Sequence, residues 1–354
     1  MTVQQKMGTA KRQDKTGTRT FPGALTNGRK QTRFDLKTYM TSWPSPSAQP
    51  GYGPLFQGAL GANPLLFAGG TATANSTAMN VQFTAAHGLS VGQAIAFSGE
   101  IRFVASVIDT ATVLLNSALS TVPTAGAAVG PTVTYFPATE LPSLSVFDYW
   151  TPSTSVQRLL CGCAVNEMDL QVNGDYHQFS FSGMAQDLLD TSSFQSGMGM
   201  LTGYPPEPPV DPTPITVIPG HLGQVWLGPI ATRFYTLTSG KINLNNGLSM
   251  RTDEYGSSVP QAINPGPRTV LLDFDLFGQD DINTVDLYQA ARQRSPIAVC
   301  LQLGQSNGQL FGLYLKSVVP EVPDYGDQDS RLQWQFRGSQ AQGSGDDEIV
   351  VAFG

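Results

Sequence analysis

Met168-Asp-Leu-Gln-Val-Asn-Gly-Asp-Tyr-His-Gln-Phe-Ser-Phe-Ser182 carries the pattern that decides the fold. Met168, Leu170 and Val172 alternate with Asp169 and Gln171, and Phe179 and Phe181 alternate with Gln178, Ser180 and Ser182. A period of two places the apolar side chains on one side of a strand. Asn173-Gly174-Asp175 lies between the two runs, and Asn and Gly tolerate the positive φ that a tight hairpin turn needs. Strands with one apolar and one polar face belong to antiparallel sheets whose second face meets water or a neighbour.

The same signal recurs on either side. Leu272, Phe274 and Leu276 alternate with Asp273 and Asp275; Leu332, Trp334 and Phe336 alternate with Gln333, Gln335 and Arg337. Towards the N-terminus a first strand is expected over residues 32–39, followed by a Pro/Ser/Gly-rich loop over 43–54. Leu55, Phe56, Ala59 and Leu60 have helical spacing before Gly61. Residues 71–131 change character, being rich in Ala, Thr, Val and Gly with Arg102 as the one basic residue. Their runs 80–84, 94–98, 101–108 and 112–116 predict a small β module inserted into the main fold. A second helix starts at Asp281 as cap, with Ile282, Val285 and Tyr288 on one face, Arg292 and Arg294 in the last turn, and Pro296 as the stop. The expected fold is mainly β, a sandwich or barrel with a flanking helix and an inserted module.

Composition narrows the class. Charged residues are 13% of the 354, against roughly 25% in an average soluble domain, while Gly (37) and Pro (25) are abundant. A polar, weakly charged, turn-rich chain suits a β protein that covers much of its surface with copies of itself. The net charge of −7 hides an asymmetry: residues 1–37 hold nine Lys/Arg and two Asp, leaving eleven basic and 25 acidic residues in the rest. Residues 1–20 are expected to form a basic, mobile arm, suited to docking on an acidic neighbour of the same kind or to binding nucleic acid. The absence of aromatic interleaving favours the first. A long Pro-rich loop over 195–225, including Pro205, Pro206, Pro208 and Pro209, suits reaching to another subunit. Three cysteines do not make a disulfide framework and point to a reducing compartment. No apolar run has membrane-spanning length and no signal peptide is visible, so a soluble protein without membrane contact is expected.

A search for chemistry returns bland explanations. Gly304-Gln-Ser-Asn-Gly308 matches the G-x-S-x-G pattern, yet it lies between two strand-like runs, and no His follows it. His87, His177 and His221 fit no zinc spacing, and Cys161-Gly-Cys163 lacks a second pair. Asp280-Asp281 sits at a helix start, and Asp346-Asp347-Glu348 sits in a terminal loop. Neither a phosphate loop nor a dinucleotide site is present; Gly197-Met-Gly199 lacks the flanking strand and helix. No catalytic, cofactor-binding or metal-binding residue is expected, and an enzyme is the least supported class.

From residue 159 onward the order of segments resembles tail tube proteins of long-tailed bacteriophages, the larger siphophage type in particular. The resemblance is carried by Gly162-Cys-Ala-Val-Asn-Glu-Met-Asp-Leu170 with Phe179-Ser-Phe-Ser-Gly183, and by Lys241-Ile-Asn-Leu-Asn-Asn-Gly-Leu-Ser-Met250. Glu254-Tyr-Gly-Ser257 and Ile263-Asn-Pro-Gly-Pro-Arg268 follow, then the helix, the hairpin and Glu348-Ile-Val-Val-Ala-Phe-Gly354. Arg33-Phe-Asp-Leu-Lys-Thr-Tyr39 and Pro54-Leu-Phe-Gln-Gly-Ala-Leu-Gly61 are similar to the family's first half. The resemblance implies a tube domain that self-associates through sheet edges into stacked rings, the duct for DNA ejection. Residues 21–70 and 132–156 would be a first half and 157–354 a second; if these are degenerate copies, three chains make a ring of six pseudo-equivalent units, and otherwise six chains are needed. It further implies a virion tail component assembled in the host cytoplasm. Its partners would be itself, a tape measure protein and tail-end proteins, with DNA passing without specific binding. Asp273 and Asp275 are the lumen-facing candidates; Lys6, Lys11, Arg12, Lys15 and Arg19 join the four prolines as inter-ring candidates. The alternatives are a related protein forming a single ring, of distal-tail or terminator type, or a tail-tip carbohydrate-binding sandwich using Trp43, Trp150, Trp226 and Trp334.

Overall fold

The computed structural model of the chain describes residues 1–8, 17–19, 28–43, 49–150, 157–207, 209, 215–228, 231–326 and 331–354. In chain order these form β1 (Thr2–Met7), β2 (Lys30–Tyr39), α1 (Gly53–Leu60) and β3 (Leu65–Phe67). The inserted segment supplies β4 (Gly70–Thr71), β5 (Asn80–Gln82), β6 (Ala94–Phe97), β7 (Glu100–Val107), β8 (Thr112–Leu115) and β9 (Ala128–Val129). Then come β10 (Thr132–Tyr135), β11 (Leu144–Asp148), β12 (Arg158–Val172), β13 (Gln178–Ala185) and β14 (Asp187–Asp190). Next are β15 (Gly223–Gly228), β16 (Thr232–Phe234), β17 (Leu237–Asn245), β18 (Ser249–Arg251), β19 (Ala262–Asn264) and β20 (Thr269–Phe277). The chain ends with α2 (Ile282–Gln293), β21 (Ile297–Leu303), β22 (Phe311–Val319), β23 (Asp324–Gly326), β24 (Gln333–Ala341) and β25 (Val350–Phe353).

The alternating strands pair antiparallel into one layer in the order β1-β2-β13-β12-β17-β20-β24-β23, eight strands wide. A second layer runs β16-β15-β21-β22-β25-β10-β3. The two meet at a corner where Val318 and Val319 of β22 pair with the end of β24. Their apolar faces share one core, in which Phe34, Phe179, Phe181 and Phe274 of the first layer meet Phe311, Leu313, Phe353 and Val133 of the second. Phe56 of α1 enters this core, its ring 5.0 Å from Phe179, 5.2 Å from Phe181 and 5.1 Å from Phe353. Each such edge-on pair is worth about 0.5–1.5 kcal/mol beyond area burial. Early strands thus stand at one edge of each layer, β1 and β2 in the first and β3 and β10 in the second.

The second layer has no polar face. Val299, Leu301 and Leu303 point into the shared core, while Cys300, Tyr314, Val350 and Ala352 point the other way, against Ala94, Ala96, Ile101 and Phe103 of the inserted module. The module covers that face, making a third layer. It also has a core of its own around Phe83, Ile95, Val104 and Leu115.

Three readings of the sequence need correction. Residues 2–7 are not a loose arm: β1 pairs with β2 from Thr2↔Asp35 to Met7↔Lys30, with Val3 and Gln5 turned towards the protein. In α2 the buried stripe is Thr284, Leu287, Ala290 and Ala291, whereas Ile282 and Val285 are 69% and 37% exposed. Leu332 lies outside β24 and is exposed, so that run buries progressively through Trp334 to Phe336.

Candidate functional site

The outer face of the eight-stranded layer is largely polar, with Met184, Leu271 and Phe277 among its half-buried residues. It presents Lys6, Arg33, Lys37, Lys241 and Arg337 against Asp35, Glu167, Asp169, Asp273, Asp275 and Asp324, one more acid than base. Many of these charges are satisfied within the face. Lys241 Nζ lies 3.3 Å from Asp169, which also accepts from Asn243 at 2.9 Å. Asp275 takes the guanidinium of Arg337 and the hydroxyl of Ser239 at 2.7 Å, and this bond holds the Arg337 pKa above its ordinary value. Asp273 accepts the backbone N–H of Gly338 at 2.6 Å, and Glu167 accepts from Asn245 at 2.8 Å.

One lateral margin of this layer is open and the other is open in part. Among the described residues β1 pairs with β2 alone, whereas β24 is covered by β23 at Gln333–Gln335 and by β22 at Gln340–Ala341, leaving Phe336–Ser339 between them. Beside β23, the outer stripe of α2 and Tyr325, 58% exposed, leave an apolar strip uncovered. On the β1 margin lies Lys6; around β23, Asp280, Asp281, Asp286 and Asp324 are mixed with Arg292, Arg294 and Arg337. An unpaired strand margin invites pairing with another chain.

Elsewhere the chemistry-bearing residues are absorbed by structure. Ser306 sits in the turn between β21 and β22, flanked by Gly304 at φ 81° and Gly308 at φ 77°, not at a strand-to-helix elbow. Asp281 caps α2 by accepting from the N–H groups of Asn283 and Thr284, and Asp346, Asp347 and Glu348 engage Arg268 and Lys316. Among the described residues no group of three His, Cys, Asp or Glu is placed to hold a metal. Of the four tryptophans only Trp150 is exposed: Trp226 is stacked under Arg102 at 3.6 Å, Trp43 abuts Phe353, and Trp334 packs on Tyr288. The four tryptophans are therefore not gathered into one exposed platform.

A sandwich with one free polar face, open margins and no cleft chemistry fits an assembling component, and a comparison decides which. The sequence profile of phage tail tube proteins matches residues 53–353, from α1 into β25. The chain belongs to the phage tail tube protein family. No curated protein matches it. As a tail tube protein it is a structural part of a virion tail, and no helix among its described residues is long and apolar enough to cross a membrane.

Within this tail tube protein, Asp273 and Asp275 lie together on the polar face. Lys6 is held in β1, and Arg19 is exposed; Lys11, Arg12, Lys15 and Pro208 lie outside the described residues. Pro205, Pro206 and Pro209 start the Pro-rich loop, with Pro206 accepting a hydrogen bond from Tyr149 at 3.2 Å. Sequence reasoning missed the β1 margin and the uncovered α2 stripe. The first was hidden because only Val3 and Gln5 mark its period.

Proposed function

We propose that this protein assembles with copies of itself into rings that stack as the tail tube of a siphophage-type bacteriophage, and that DNA is ejected through the lumen. The observation that carries this reading is the eight-stranded layer, open along β1 and along part of β24 and largely polar on its outer face. Pairing β1 of one copy with the β23–β24 margin of the next completes the sheet, and repeating a contact between two different patches around an axis gives a ring.

Strand number bears on ring size. An eight-stranded barrel encloses little beyond its own side chains, and one of about 16–18 strands an aqueous channel. Three chains would supply about twenty-four strands, a wider duct since diameter grows with strand number. We therefore favour a ring of three. The polar face would line the lumen, where its acids outnumber its bases by one, so DNA slides instead of sticking. A tape measure protein inside the growing tube and tail-end proteins at its termini are the further partners proposed, with assembly in the host cytoplasm.

Electron microscopy of the purified protein tests this reading: long hollow tubes are expected, spontaneously or on seeding. Isolated single rings would instead favour a distal-tail or terminator role.

A further inference from the structure

The two ends of the eight-stranded layer differ, and the difference is that of a plug and a seat. At one end β12 runs on past the ends of β2 and β17. There its residues Arg158–Cys163 are flanked by β11 and β14 in a three-stranded arm. On this arm Phe147, Trp150, Met198 and Met200 are exposed, Met200 at 97%. Over 141–150, 157–163 and 187–207 the arm carries Asp148, Asp187, Asp190 and Glu207, of which Asp148 pairs with Arg158 and Asp187 with Lys30 of β2. The opposite end of β12, about 45 Å away at about 3.3 Å per residue, leads into the turn at Asn173.

At that opposite end lies a recess of about 220 Å³ whose lining includes His177, His221, Gln224 and Arg233 and no carboxylate. His177 is fully buried, its Nε2 bonded to the carbonyl of Leu222 at 2.7 Å, yet its Nδ1 has no partner, and neither has Gln224 Oε1. Tyr235 lines the recess at 80% exposure with Arg233 over its ring, and Tyr176, next to His177 in the chain, is 53% exposed and packs edge-on against Tyr39. Buried polar groups ordinarily find partners, and exposed aromatics beside a recess mark an interaction site.

Resting on the stacked-ring reading, we propose that the arm of one copy, with its exposed methionines and the acids Asp190 and Glu207, seats on the recess of a second copy in the adjoining ring, where Tyr235 and Arg233 stand. The occupant is a second copy because the acids of the arm complement Arg233 and the two surfaces lie at opposite ends of one strand. A contact between two different patches that does not close on itself propagates as a filament.

Two variants test it, each altered only at exposed or half-exposed positions: Met198→Asp with Met200→Asp on the arm, and Tyr176→Asp with Tyr235→Asp at the recess. Each alone is expected to give rings of wild-type diameter and no tubes. Mixed in equal amounts, the intact recess of the first variant takes the intact arm of the second, giving stacks of two rings and no longer, by electron microscopy and analytical ultracentrifugation. Tubes of wild-type length from either variant, or single rings only from the mixture, overturn the pairing. A wild-type protein that makes no tubes at all sinks the stacked-ring reading instead.

Discussion

Single residues show how the module is fastened. Arg102 is fully buried between module and sandwich, donating to the carbonyls of Ala118 and Ile101 and to Gln302 Oε1, and stacking on Trp226. Its remaining terminal nitrogen lies 3.1 Å from Glu100 as an ion-pair contact without hydrogen-bond alignment. Removing one partner leaves a buried charge, so Arg102→Ala is expected to cost about 3–5 kcal/mol in chemical denaturation. Adding Glu100→Gln should return part of that loss. Gly99 marks the closest approach: at φ +74° it has no room for a Cβ, which would stand 2.2 Å from the carbonyl oxygen of Gln305. On the polar face, Asp273→Lys with Asp275→Lys would free Arg337 and add two cations. Tubes of that variant should retain DNA in a gel-shift assay at low salt and release it as salt rises, while wild-type tubes retain none. Equal retention by both would mean that these residues do not face the lumen.

Elements were legible where their period was unambiguous. β12 and β13 follow directly from the alternation at Met168–Val172 and Phe179–Phe181 and the positive φ of 63° at Asn173. In α2 the cap was readable and the buried face was not. Ile282, Val285 and Tyr288 share the helical spacing, but so do Thr284, Leu287 and Ala291, and the sandwich takes the stripe whose small side chains let the helix approach. The cap gives a prediction. Asp281 is held below its ordinary pKa, chiefly by the hydroxyl of Thr284. A carboxyl with a lowered folded pKa stabilises fully above its unfolded value and loses that contribution as pH falls through the folded one. Asp281→Ala should therefore lower stability by about 1 kcal/mol at neutral pH, and the two proteins should converge as pH drops below the ordinary aspartate value of 3.8. A difference unchanged at low pH would contradict the capping role.

At the scale of the molecule, the sequence shows a β module at 71–131 but not what it covers. The apolar runs of β21, β22 and β25 are buried on both faces because β6 and β7, some 200 residues earlier, lie against them through contacts such as Ile101 N–H to Gln302 at 3.0 Å. A linear pattern does not name the partner of such a run. Replacing residues 72–130 by a short linker should bare Cys300, Tyr314 and Ala352 and yield insoluble protein; a soluble, folded product would mean the module is dispensable. The opposite layer has the reverse character, with a largely polar outer face that the module does not cover, and it is the surface proposed to meet other copies. Cryo-electron microscopy of the assembled protein tests that arrangement most directly. The expected map shows hollow tubes of three chains per ring, with β1 hydrogen-bonded to the β23–β24 margin of its neighbour and Asp273, Asp275 and Lys241 on the inner wall. Tubes with that wall facing outward, or a protein that stays monomeric at every concentration, would contradict the account.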